Sequence, residues 1–385
     1  MNNRRRKQKL KIAVAVTARV SFPMTEDKFH LFHTPLKVAL DISEELAKRG
    51  HKIIFFAPTS SKSKVFKTVP LPISPIYKNQ KLLKMQGVPP DLQVKDREKM
   101  LVLLEQYFFS FVFKKCQKEK FDIIHIHAPN EAMPLAFYSS IKTPIVYTLH
   151  DAIYPWRRLV FEKFQTDNQY FVSISKFQQK KAPNLNWIAN VYNGIKITNY
   201  PFYPKPKNQL LFLGRLLDRK GATEAIQVAI KTKEKLLIAG GPDKGSFWEE
   251  KIKPYLKKEN IKYAGFVPYQ QTHCYYGQAK ALLCPIKWNE PFGLTFIEAM
   301  ACGTPVIAFK RGSAPEVIKD GKSGFIVEPF NKQGKLNLKG FIEAVKKINQ
   351  IDRRECRRWV EENFTVEKMA DGYERAYEKI LKKEG

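Results

Sequence analysis

A chain of 385 residues is longer than one ordinary domain, and at ~100 to 200 residues per domain two are expected. Hydrophobic residues make up 44% and aromatics 12%, which excludes a disordered chain and supplies apolar area for two packed cores. The 67 Lys plus Arg against 37 Asp plus Glu leave a formal charge of +30, so the surface should attract phosphates, nucleic acid or anionic lipid, without choosing among them.

At the amino end, Arg4, Arg5, Arg6, Lys7, Lys9 and Lys11 form the one dense basic run, read as a solvated tail or a contact with an anionic membrane surface. The apolar stretch from Ile12 to Ala18 is broken by Arg19 and lacks a small-residue cleavage pattern. No run approaches the ~20 apolar residues that span a bilayer. Cys116, Cys274, Cys284, Cys302 and Cys356 are odd in number and contain no Cys-x-x-Cys pair, which speaks against a disulfide framework or a structural zinc site. The expected location is the cytoplasm, free or peripheral on the inner face of the membrane.

Short β-branched runs alternate with helical periodicity. Strands are expected at Lys11 to Ala18, Lys52 to Ala57, Asp122 to His127, Pro144 to Leu149, Tyr170 to Ser173 and Trp187 to Val191. Helices are expected at Pro35 to Arg49 and Glu98 to Lys118, and a long loop from Val65 to Val94. Such alternation gives a parallel sheet covered by helices on both faces. Asn193 and Gly194, followed by Pro201, Pro204 and Pro206 among lysines, punctuate the chain and mark the domain boundary between Asn193 and Gln209. A second alternation follows, with strands at Gln209 to Leu213, Lys235 to Ala239, Lys262 to Phe266, Ala281 to Cys284, Pro305 to Ala308 and Gly324 to Val327. Helices at Gly340 to Lys347, Arg353 to Glu362 and Val366 to Lys382 close the chain.

The most informative stretch runs Asn289-Glu290-Pro291-Phe292-Gly293-Leu294-Thr295-Phe296-Ile297-Glu298. Pro291 biases Glu290 out of the helical region, onto a loop before a helix that begins near Gly293. The amides of Gly293, Leu294 and Thr295 then make the unsatisfied first turn, where free N–H groups and the dipole suit a diphosphate. Glu298, one turn further in, is suited to accept hydrogen bonds from a sugar diol. A second constellation, Phe212-Leu213-Gly214-Arg215 to Lys220-Gly221, joins a strand end to basic residues, as a phosphate site at the carboxyl edge of a sheet needs. Standing alone, each of these residues would equally be surface charge or core; their linkage in one pattern points to function.

That pattern resembles the Glu-x7-Glu motif of the retaining family-four glycosyltransferases (glycosyltransferase group 1, GT-B fold), with Glu290 and Glu298 as its two acids. The match continues through Cys302-Gly303-Thr304-Pro305 and Gly312-Ser313-Ala314-Pro315-Glu316. The resemblance implies an α/β protein of two Rossmann-like domains with parallel sheets facing across a cleft: an acceptor-side domain over residues 1–200, a nucleotide-sugar domain over 201–365, and a helix over 366–385 returning to the first. It implies Glu290 facing the donor sugar, Glu298 the ribose, and Arg215 with Lys220 neutralising the departing diphosphate. Such charge stabilisation needs no metal, and no Asp-x-Asp motif is present. No cofactor is expected; the nucleotide sugar, UDP- or GDP-linked, is a substrate.

By the same resemblance, Phe292, Gly240 in its Gly-Gly-Pro turn and Val267 after Gly265 and Phe266 approach the donor. In the first half, His125 and His127 fall on one strand face; His127 resembles the histidine that approaches the donor sugar, and His150 the parallel element one strand later. Where many members carry a glycine pair after the first strand, this chain has Thr17-Ala18-Arg19-Val20, so Arg19 is the candidate for the phosphate or acceptor loop. The expected activity is that of a retaining hexosyltransferase acting on a saccharide or lipid-linked acceptor in glycan or cell-envelope synthesis. The rivals are an epimerase or phosphorylase on the same fold, and a basic protein that binds nucleic acid or anionic membranes; no aromatic-basic nucleic-acid module is visible, so no nucleic-acid partner is expected.

Overall fold

In the computed structural model, residues 8–23, 34–72, 90–127, 141–241 and 246–384 are described. They form two compact units: Met1–Ile174, Gln179–Val191 and Met369–Gly385 make the first, and Ser175–Gln178 with Tyr192–Lys368 the second.

Strands β1 (Lys11–Ala15), β2 (Lys52–Pro58), β3 (Lys67–Leu71), β4 (Ile123–Ile126), β5 (Ile145–Leu149), β6 (Gln169–Ser173) and β7 (Trp187–Asn190) form the parallel sheet of the first unit, in the order β3-β2-β1-β4-β5-β6-β7. The central strands are buried throughout, as Ile145-Val146-Tyr147-Thr148-Leu149 shows, because helices cover both faces of such a sheet. Alternation divides the side chains. Ala13, Ile54, Phe56, Ile124, Ile126 and Tyr147 face the helices Pro90–Lys118 and Pro155–Phe164, through Phe108, Phe109, Val112, Phe113 and Phe161. His125 and Thr148 face the other way and meet Tyr373 and Tyr377 of the helix Val366–Glu384.

The expected loop from Val65 to Val94 is corrected: β3 lies within it, and the following helix starts at Pro90. Lys67 and Pro70 disguise β3, and an edge strand tolerates both because one of its sides needs no ladder partner. Of the basic run, Arg4 to Lys7 lie outside the described residues. Lys9 donates to the Arg49 carbonyl, and Lys11 pairs with Glu119 at 2.7 Å, so these two belong to the folded unit.

The second unit holds β8 (Leu210–Leu213), β9 (Leu236–Ala239), β10 (Ile261–Tyr263), β11 (Ala281–Cys284), β12 (Val306–Phe309) and β13 (Gly324–Val327), all parallel, in the order β10-β9-β8-β11-β12-β13. This is the doubly wound order, with its switch point between β8 and β11. Among the described residues no helix is long and apolar enough to cross a membrane.

Candidate functional site

In a doubly wound sheet, ligands bind outside the carboxyl ends of the strands at the switch point. β8 ends at Leu213, and the chain continues through Gly214 and the exposed Arg215 into a short turn carrying Asp218, Arg219 and Lys220. β11 ends at Cys284, and its continuation carries Trp288 and Glu290. The two edges meet. Lys220 Nζ donates to Glu290 Oε2 at 3.2 Å, and Trp288 Nε1 donates to the same oxygen at 2.8 Å. Lys220 lies 4.7 Å from the centre of the Trp288 ring, and the Arg219 guanidinium 4.2 Å from it. A carboxylate, two cations and an indole are thus gathered at the strand ends. Nothing in residue spacing pointed to Trp288.

The helix Leu294–Ala301 begins immediately after Gly293, whose φ of +82° is left-handed; a side chain there would be strained and would meet the Phe296 ring. The leading amides of Leu294 and Thr295 belong to the first turn, which has no intrahelical partners. Glu290 is fixed from behind, where Ser313 N donates to its carbonyl at 2.9 Å. Gly312 approaches so closely that an added Cβ would lie 2.2 Å from the Glu290 carbonyl oxygen. The Phe292 side chain is part of the core, packed on Tyr192 and Phe364, so only its backbone is left to meet a ligand.

Glu298 is 4% exposed. Tyr200 and Tyr269 donate to its Oε1 at 3.0 and 3.1 Å, and Tyr276 donates to Oε2 at 2.9 Å. Burial and the neighbouring carboxylate push the Tyr200 and Tyr276 hydroxyls up, so both remain donors. This tyrosine cage escaped the sequence because its members lie 98, 29 and 22 positions from Glu298. Nearby, Gly240 N donates to the Gly265 carbonyl at 2.8 Å. Val267 is buried, and the exposed ring of that segment is Phe266.

In the first unit β1 and β4 flank the corresponding switch point. His127 follows β4 fully buried; its Nδ1 lies 2.9 Å from His150 Nε2, and its Nε2 has no hydrogen-bond partner. Beneath it His125 lies between the Tyr377 hydroxyl at 2.7 Å and the Thr148 hydroxyl at 2.8 Å. Burial, with the neighbouring histidines, holds His125 at about 3 and His127 well below the ordinary value, so both rings are neutral near pH 7. Arg19, after β1, donates through Nε to Glu105 at 3.0 Å. Glu105 also accepts from Ala18 N at 3.0 Å and from the Thr17 hydroxyl. It lies buried on the core face of its helix, in line with Phe108, Phe109 and Val112. The Ala18 amide of this loop is therefore already taken. Among the described residues no group of three or more His, Cys, Asp or Glu side chains is placed to hold a metal.

Comparison with known proteins agrees with this fold. Residues 199–363 match the model described as glycosyl transferases group 1, and residues 37–199 match glycosyltransferase family 4. The chain is 22% identical over 311 residues to the 2-deoxystreptamine N-acetyl-D-glucosaminyltransferase of Niallia circulans, covering 64% of this chain and 79% of that one. Among solved structures it resembles sucrose-phosphate synthase from Thermosynechococcus elongatus, with a TM-score of 0.70, 18% identity, and 97% and 100% of the two chains covered. It also resembles Anabaena HepE in complex with UDP and glucose, with a TM-score of 0.65, 16% identity, and 94% and 97% covered. The two doubly wound sheets are the two Rossmann-like domains of the GT-B architecture, and with both family models side by side along it the chain belongs to the group 1, family-four glycosyltransferases.

Proposed function

We propose that this glycosyltransferase transfers a hexose-type sugar, with retention of anomeric configuration and without a metal, from a UDP- or GDP-linked donor to a saccharide or lipid-linked acceptor. The observation that carries this reading is the meeting of Lys220, Trp288 and Glu290 where β8 and β11 end. HepE, of like fold, is described in complex with UDP and glucose, which supports a nucleotide sugar as donor.

In this reading the diphosphate lies over the first turn at Gly293, Leu294 and Thr295, and Arg215 and Lys220 offset its charge. As the bond between the anomeric carbon and the phosphate oxygen breaks, its electron pair leaves with the diphosphate. Negative charge grows on that oxygen, where fixed cations and helix amides stabilise it most. The acceptor hydroxyl forms the new bond on the same face, and its proton passes to the departing oxygen. Glu290 fixes the sugar hydroxyls and Glu298, held by its tyrosines, the ribose side. Val267, Gly214 and Gly240 supply backbone toward the base and phosphates; the role of His127 toward the sugar is carried by the resemblance alone.

Thermal stabilisation by UDP, GDP, ADP and their sugar conjugates tests the donor. At one hundred times Kd a bound nucleotide adds about 2.7 kcal/mol, so one base should raise the wild-type Tm clearly, and Lys220→Ala much less. No rise with any nucleotide at millimolar concentration would sink the reading. The coupling constant of the anomeric proton in the product decides retention.

A further inference from the structure

Glu298, the acid read above as facing the ribose, is closed off. It is 4% exposed, and both of its carboxylate oxygens already accept from tyrosine hydroxyls, Oε1 from Tyr200 and Tyr269 and Oε2 from Tyr276. A ribose diol reaches such a carboxylate by taking the place of a donor already there. The three donors differ in how readily they yield. Tyr276 is fully buried, and its carbonyl accepts from the Thr304 hydroxyl at 2.6 Å. Tyr200 is 3% exposed, and its carbonyl accepts from Arg357. Tyr269 is only partly buried. It opens the short turn Tyr269–Gln271, directly after the segment that carries the exposed Phe266 ring.

The backbone at Tyr269 is held: the Thr272 hydroxyl donates to the Tyr269 carbonyl at 2.8 Å, and Gln271 N donates to the Pro268 carbonyl at 2.9 Å. Rotation of the side chain alone therefore carries the hydroxyl from the carboxylate toward water, a fast motion for a side chain near the surface. The exchange is chemically even. A tyrosine hydroxyl and a ribose hydroxyl are both neutral O–H donors, and a carboxylate accepts either. With Tyr269 in place the buried carboxylate keeps a full set of donors in the empty protein, which spares it the cost of a lost partner. With Tyr269 turned away, Tyr200 and Tyr276 still hold Glu298 in position for the diol.

We propose that Tyr269 is a built-in competitor of the nucleotide: its hydroxyl holds at Glu298 the place of a ribose hydroxyl, and the diol of the bound nucleotide displaces it while Tyr200 and Tyr276 stay. The proposal rests on the nucleotide-sugar reading above. Tyr269 then sets how tightly the nucleotide is held, and its return to Glu298 accompanies release of the nucleoside diphosphate. Titration calorimetry with UDP and GDP tests it. One of the two should bind the wild type. Tyr269→Phe, which removes only the competing hydroxyl, should bind that nucleotide about tenfold tighter, the worth of one hydrogen bond to a charged group. The dideoxy analogue of the same nucleotide, which lacks the diol, should bind both proteins alike. Tyr200→Phe removes a hydroxyl that stays in place and should bind the nucleotide no more tightly than the wild type does. A purely structural tyrosine would change the Tm without this dependence on the diol. Failure of both nucleotides to bind the wild type overturns the donor reading and the exchange with it. Where one binds, an affinity that Tyr269→Phe leaves unchanged or lowers, a gain shared by the dideoxy analogue, or an equal gain in Tyr200→Phe overturns the exchange and leaves the donor reading standing.

Discussion

Lys220 and Glu290 are drawn together from turns that follow different strands, and each is only partly screened from water. Their pairing keeps both in place, and partial access of water limits its own contribution to stability. Glu290→Gln and Lys220→Ala should therefore leave the Tm nearly unchanged while lowering kcat by about 10² to 10³; steady-state rates beside a thermal melt check this. Glu298 is the opposite case. Glu298→Ala removes the acceptor of three tyrosine hydroxyls; Tyr200 and Tyr269 keep their mutual bond, but the fully buried Tyr276 loses its partner, and at about 1 to 3 kcal/mol for a lost buried partner the Tm without nucleotide should drop by several degrees. The histidines give a pH signature. His125 is held at about 3 and His127 well down, so the unfolded chain takes up protons near pH 6.5 that the folded one refuses. Stability is then intact above that pH and declines as pH falls toward 3. By pH 5 the cost for His125 is about 2 kcal/mol. Glu105, pushed up by burial, works with the opposite sign: its cost grows as pH rises above about 4.5, so Glu105→Gln should steepen the acid loss. Melts from pH 7 to 5 on wild type, His125→Gln and Glu105→Gln read both.

At the scale of elements, the helix Pro90–Lys118 supports the loop after β1 through one carboxylate. Glu105→Ala would leave the Ala18 amide and the Thr17 hydroxyl without their acceptor and Arg19 without its ion pair. A loss of about 3 kcal/mol or more is expected, measured by chemical denaturation. How far such features can be foreseen depends on their range in sequence. The strands Ala281–Cys284 and Gly324–Val327 are as expected, because a fully buried parallel strand must be a short apolar run between turn signals. The residues from Asn289 to Glu298 likewise carry their geometry locally, in a proline, a glycine and a helix start. What was not legible is what the third dimension assembles. The tyrosines around Glu298, the indole beside Glu290 and the tyrosines beneath His125 come from distant elements with no periodicity linking them. A glutamate at a core position of a helix was itself a signal, since 105 falls in register with 108, 109 and 112, and it foretold a buried polar partner. Expecting Phe292 to reach the ligand overlooked that an aromatic just before a helix is the natural plug for the core beneath it.

At the scale of the whole molecule, the last helix belongs with the first sheet. Arg49 donates to Asp371 at 2.7 Å and to Glu374 at 3.0 Å, His51 meets Glu374 at 3.0 Å, and Tyr373 and Tyr377 roof the polar strand face. Leu10 N donates to His51 Nδ1 at 3.2 Å, which leaves Nε2 to donate to Glu374. Truncation after Lys368 should remove folded protein from the soluble fraction and not merely reduce activity, as expression and circular dichroism would reveal.

The same arrangement governs how the protein comes into being. The ribosome delivers the seven-stranded half first, but the strand face that Tyr373 and Tyr377 cover stays open until Met369–Gly385 emerges. At roughly 5 to 20 residues per second, the intervening stretch from Tyr192 to Lys368 takes about 10 to 35 seconds to synthesise. During that interval β4, β5 and their histidines wait uncovered while the later domain, contiguous but for one short segment, can already close. The nascent amino-terminal half therefore keeps that strand face open until the last helix is made, and synthesis of that helix is the step that closes it.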